Sequence, residues 1–136
     1  MGALSKILRN ATDGRLTWWC PGCNGPHQVS VGVGPGPRWG YNGNAEAPTF
    51  TPSVLVTWEE PANLHDREAL ERDIAESNAR RAAGVTGDAL EVPLAHKVCH
   101  SFVVDGRMQF LGDCTHALAG QTVPIPEWPH PNWGGV

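Results

Sequence analysis

Four cysteines carry the most specific chemistry in this sequence. Cys20 and Cys23 flank a Pro-Gly turn in the stretch WWCPGCNGPH, and His27 follows four residues after the second thiol. Pro and Gly make a tight turn that aims both sulfurs at one point, where backbone N–H groups can also donate to them. Cys99 and Cys114 lie far downstream, with His100 and His116 close by in sequence. The stretch MGALSKILRNATDG lacks the apolar run of a secretory signal. That predicts a protein kept in a reducing cytosol, where thiols serve as metal ligands more often than as disulfides. Four thiols for four tetrahedral positions predict one structural Zn²⁺ per chain, held by Cys20, Cys23, Cys99 and Cys114. His27, His100 and His116 are alternates for one of these positions.

The element that must bring Cys99 to Cys114 is a hairpin. Two β-rich runs in KVCHSFVVDGRMQFLGDC flank Asp105-Gly106, a strong signal for a two-residue type I′ turn. Such a turn pairs Val104 with Arg107, Val103 with Met108, Ser101 with Phe110 and Cys99 with Gly112. Side chains alternate along a strand, so Cys99 and, if pairing continues, Cys114 share one face. The same parity sends His100 to the opposite face.

Other chemistries compete for these residues. A catalytic metal would need an open coordination position and a base, which His100, Asp113 and His116 can supply in a metal-dependent hydrolase or a deaminase-like enzyme. A thiol oxidoreductase would need its first cysteine at a helix N-terminus, and the turn-forming Asn24, Gly25 and Pro26 argue against a helix there. In RWGYNGNAEAPTFTPS, either Trp39, Asn42, Asn44 and Glu46 line a polar binding site, or Trp39, Tyr41 and Phe50 pin an Ω-type loop.

The rest of the chain bounds the fold. With 136 residues, 16 Gly, 12 Pro and six Trp, it is sized for one domain of short strands and many turns. RLTWWC (15–20), HQVSVGV (27–33) and SVLVTW (53–58) read as strands. Residues 1–14 read as a loose arm or one turn of helix. A helical insertion is expected over 59–96, with Asn63 as cap, Glu68/Arg72 and Glu76/Arg80 as i,i+4 pairs, and Gly84 at its end. Its apolar stripe, Leu70 and Ile74, is thin. Together these predict a mainly β, single-domain sandwich or barrel, 1–136, with 15–58 and 97–128 as core and 129–136 as a Pro/Trp tail. A net charge of -4 and no basic stripe exclude nucleic acid, and no apolar run is long enough to span a bilayer.

WWCPGCNGPH, WGYNGNAEAPTFTPSVLV and VCHSFVVDGRMQFLGDCTHALAGQTVPIPEW resemble a family of small uncharacterised proteins of tailed bacteriophages and prophages. Those proteins often carry the label "ammonia monooxygenase", a membrane-embedded copper enzyme that a chain without a spanning segment does not fit. The resemblance implies a phage origin and a matching Cys/His pattern, with no established activity. With no complete catalytic set in view, the sequence points to a non-enzymatic, zinc-binding phage protein in the host cytoplasm or the virion. Such a protein would act by binding a phage or host protein, as a minor virion component or an accessory factor.

Overall fold

The computed structural model describes residues 2–129. Nine strands form two antiparallel sheets. The first has the order β1-β2-β3-β4, from Gly2–Ala3, Arg9–Ala11, Arg15–Cys20 and Gly25–Ser30. The second has the order β5-β6-β7-β8-β9, from Gly40–Tyr41, Phe50–Pro61, Leu94–Val104, Arg107–Phe110 and Thr122–Pro124. One helix, α1, spans Arg67–Ala82. The architecture is mainly β, with two sheets and a single helical excursion, as the turn-rich sequence predicts.

The chain divides into two compact units, 1–56 with 98–136, and 57–97. In the larger unit, Trp18 on β3 stacks on Phe50 of β6 at 5.1 Å between centroids, joining the two sheets through the core. Leu8, Val29, Val54, Val103, Met108 and Phe110 complete that core. Fully burying each such side chain stabilises by about 1.5–3 kcal/mol. Leu16–Cys20 is buried at every residue because both faces of β3 are covered. Trp128 closes the outer face by packing edge-on against Trp19, and its indole N–H donates to the Ile7 carbonyl.

Residues 1–14 are therefore no loose arm: they supply two strands, and Leu8 has no exposure. The stretch after 121 begins with a strand and buries Ile125 and Trp128. Of the expected tail, 130–136 lies outside the described residues.

In the smaller unit, Asp66 rather than Asn63 caps the helix, its carboxylate accepting from the Ala69 N–H. Asn63 instead donates to Asp73. The ion pair on the helix is Arg67–Glu71, while Arg80 donates to the Ala89 carbonyl. Gly84 follows with φ 92°, the left-handed conformation that glycine adopts most readily at a helix end. Only Ala69 and Ser77 of α1 are buried, in keeping with the thin apolar stripe. Among the described residues no helix is long and apolar enough to cross a membrane.

Candidate active site and metal centre

Asp105 and Gly106 both have positive φ, 48° and 76°, so the β7–β8 connection has the mirror-image geometry a two-residue hairpin requires. The register is the expected one: Val104 opposite Arg107, Val103 opposite Met108, Ser101 opposite Phe110. The ladder stops at Phe110, however, so no strand carries Cys114 to the metal. The chain turns there, and Leu111 donates its N–H to the His100 carbonyl. Thr115 then clamps to Val98, donating its backbone N–H to the Val98 carbonyl and accepting the Val98 N–H on its hydroxyl.

That turn gives Cys114 another task. Its Sγ accepts from the His100 N–H and donates to the His100 carbonyl, both at 3.2 Å. His116 takes the place expected for Cys114. The ligand atoms of Cys20, Cys23, Cys99 and His116 lie within 4.8 Å of one another. Cys20 and Cys23 come from the turn between β3 and β4 in one sheet, Cys99 from β7 in the other.

This donor set fits a metal. Cys20 and Cys99 sulfurs are 4.0 Å apart, close to the ~3.8 Å separation that two ~2.3 Å Zn–S bonds impose in a tetrahedron. The Nε2 atom of His116 is buried with no hydrogen-bond partner. Donation from the thiols of Cys23 and Cys99 pulls the Cys20 pKa down. The same sharing pushes Cys23 up to about 12, and pushes Cys99 up as well. A bound cation would displace the protons that these thiols retain. The Cys23 N–H also donates to the Cys20 sulfur, as the turn predicts.

Gly22 makes the arrangement possible. A Cβ there would lie 2.3 Å from the His116 ring, inside any tolerable contact. Gly22→Ala should therefore push His116 out of the cluster and weaken zinc binding at least 10-fold, which competition with a chromogenic chelator would measure.

The other side of β7 carries different chemistry. Cys99 faces the buried cluster, so strand alternation turns His100 outward. There His100 Nε2 meets Ser53 Oγ of the neighbouring strand β6 at 3.0 Å. Its Nδ1 meets Asp113 Oδ2 at 3.0 Å. Ser53, His100 and Asp113 form a continuous hydroxyl–imidazole–carboxylate relay. Ser53 and His100 are half-buried, while the Asp113 side chain is 54% exposed. Trp39 holds this part of β6 by donating its indole N–H to the Ser53 carbonyl at 3.2 Å.

The sequence placed His100 and Asp113 among candidate catalytic groups, with His116. The structure joins the first two through a hydrogen bond and puts the third in the thiol cluster. His27 is buried beside Cys20, and its proximity helps to lower that thiol's pKa, but it lies outside the four-residue cluster. The loop residues Asn42 and Asn44 are spent within their own turn. Asn42 donates to the Ala47 carbonyl, and Asn44 accepts from the N–H groups of Glu46 and Ala47. No helix starts at Cys20–Cys23, which lies between β3 and β4. Ser53 was not legible in the sequence: no glycine-flanked motif surrounds it, and its partner is 47 residues away.

A family model matches residues 3–111, and the family is described as the bacterial ubiquitination-like system serine protease, BubE. Cys20, Cys23, Ser53, Cys99 and His100 fall within the match, while Asp113 and His116 follow it. This match overturns the phage resemblance, and with it the reading of a virion or accessory protein that works only by binding. A family of proteases also overturns the expectation of a non-enzyme. No curated protein and no solved structure matches the chain. The matched span covers most of the sequence, and the chain belongs to the BubE family.

Proposed function

We propose that this chain is a serine peptidase of a bacterial ubiquitination-like system, with Ser53 as nucleophile, His100 as general base and Asp113 as the group that orients His100. The observation that carries this reading is the relay of two 3.0 Å hydrogen bonds across three segments distant in sequence. The family description, a serine protease of a bacterial ubiquitination-like system, supports it, and the substrate we propose is an acyl bond at the end of a ubiquitin-like protein. Ser53 Oγ attacks the scissile carbonyl while its proton passes to His100 Nε2. His100 then returns that proton to the leaving amine, and water releases the acyl group from Ser53 by the same relay.

The proposed cofactor is one Zn²⁺ per chain, held by Cys20, Cys23, Cys99 and His116. Four protein ligands complete a tetrahedron and leave no position for substrate, which favours a structural role. The hydrolase part of the alternative reading thus goes to the outward face of β7, and the metal part to its inward face. The protein partner is the substrate itself.

The test is cleavage of a reporter fused to the C-terminus of the ubiquitin-like protein from the same system. Wild type should release the reporter. Asp113→Asn should slow release by about 10³-fold, less than the ~10⁴-fold known for a fully buried triad aspartate, because water already surrounds this carboxylate. An unchanged rate in that variant would remove Asp113 from the mechanism.

A further inference from the structure

The hairpin that carries His100 is irregular where the relay begins. Its register pairs Val104 with Arg107 and Phe102 with Gln109, and the same register sets His100 opposite Leu111. Next to a two-residue turn, every second pair of an antiparallel ladder exchanges two N–H to O=C bonds, and His100–Leu111 falls in that set. Only one of the two is made in the ordinary way: Leu111 donates its N–H to the His100 carbonyl at 2.9 Å. The Leu111 carbonyl instead accepts the Cys114 N–H at 3.2 Å. The Cys114 thiol stands in for it. Its sulfur accepts the His100 N–H and donates to the His100 carbonyl, both at 3.2 Å. A thiol can do both, being a weak donor and a weak acceptor. At 8% exposure, Cys114 makes these contacts shielded from water.

We propose that Cys114 is a positioning residue of the peptidase reaction, its thiol holding the turn that presents Asp113 to His100. The inference rests on the Ser53–His100–Asp113 reading. Asp113 comes immediately before Cys114 in the chain, and its carboxylate meets His100 Nδ1 at 3.0 Å. That side chain is more than half exposed, so water competes for it and little packing fixes it. Gly112, on its other side, has no side chain to anchor the backbone. The restraint on Asp113 comes from the residues that follow it. Thr115 fixes the exit of the turn on Val98, two residues before His100. Cys114 fixes its middle on His100 itself. Residues 113 and 114 thus grip His100 at two points, the ring through the carboxylate and the backbone through the thiol. Imidazole and carboxylate then share one frame. The thiol bonds to backbone atoms of His100, so it acts on the chemistry through His100 and Asp113.

Placement of this kind governs the chemical step more than substrate binding. A misplacement of about 1 Å can cost about 10²-fold in rate.

Reporter cleavage by zinc-loaded variants tests this. Cys114→Ala should lower kcat by about 10- to 100-fold, with KM within about twofold of wild type. Cys114→Ser, whose hydroxyl also accepts and donates, should recover to within about fivefold of wild type. In an Asp113→Ala background, Cys114→Ala should cost less than about threefold more, because the carboxylate it positions is gone. Both single variants should retain the metal. Should Cys114→Ala fail to fold, Cys114→Val takes its place, keeping the volume without the hydrogen bonds. Wild-type kcat in Cys114→Ala would overturn the positioning role. So would an equal loss in Cys114→Ser, or an undiminished loss in the Asp113→Ala background. Loss of zinc from Cys114→Ser would make the thiol a ligand instead, and failure of both the Ala and Val variants to fold would assign it to the fold alone; either overturns the proposal. A wild type whose Ser53 takes up no fluorophosphonate would overturn the peptidase reading itself, and this role with it.

Discussion

Ser53→Ala should abolish peptidase activity, by at least about 10⁴-fold in kcat, while leaving the fold intact. Loss of a serine nucleophile costs about 10⁶-fold in a serine protease, the remainder being sustained by substrate binding and charge stabilisation. The side chain is small, half-buried and on the open face of its sheet, and its hydroxyl meets His100. Removing one such bond changes stability by about 1 kcal/mol. His100→Ala should match Ser53→Ala, because members of a relay act as a unit and their losses do not add. The double variant should therefore be no slower than either single one. Single-turnover rates set beside melting curves would separate loss of chemistry from loss of fold. A Ser53→Ala protein that retains more than a tenth of wild-type activity would exclude Ser53 as nucleophile.

Removal of the metal should have the largest effect on stability. Structural zinc contributes about 10–16 kcal/mol of apparent binding energy in small domains. Whole domains have net stabilities of only about 5–15 kcal/mol. Here the proposed ligands bridge the two sheets, with Cys20 and Cys23 on one side and Cys99 on the other. Chelation should therefore unfold the protein at room temperature or lower its Tm by more than about 15 °C. Cys99→Ser should do the same. Activity should fall with the fold and not ahead of it. Differential scanning fluorimetry with elemental analysis, read alongside peptidase activity, checks the order of these losses. Activity lost on chelation at unchanged Tm would mean that the metal takes part in the chemistry.

The two sites share a strand, and this explains what the sequence does and does not reveal. The Cys20-Pro-Gly-Cys23 turn and the Asp105-Gly106 hairpin are local, so residue types alone predict both geometries. Alternation on β7 then predicts that Cys99 and His100 face opposite ways, one inward and one outward. What alternation cannot supply is the neighbour across the sheet. Ser53 meets His100 only because β6 and β7 are adjacent, and nothing near Ser53 encodes that pairing. Cys114 lies outside the four-residue cluster for a similar reason. The hairpin ends at Phe110, and a turn redirects the next residues so that Asp113 reaches His100 and His116 reaches the thiols. Leu8 was hidden because two short strands with few β-formers are held by their neighbours rather than by their own propensity.

The most direct test is the intact mass of the zinc-loaded protein after treatment with a fluorophosphonate. The account predicts one adduct per chain, on Ser53, lost in both Ser53→Ala and His100→Ala. A folded, zinc-loaded protein that takes up no adduct, or carries it on another residue in the Ser53→Ala variant, would contradict the proposed mechanism.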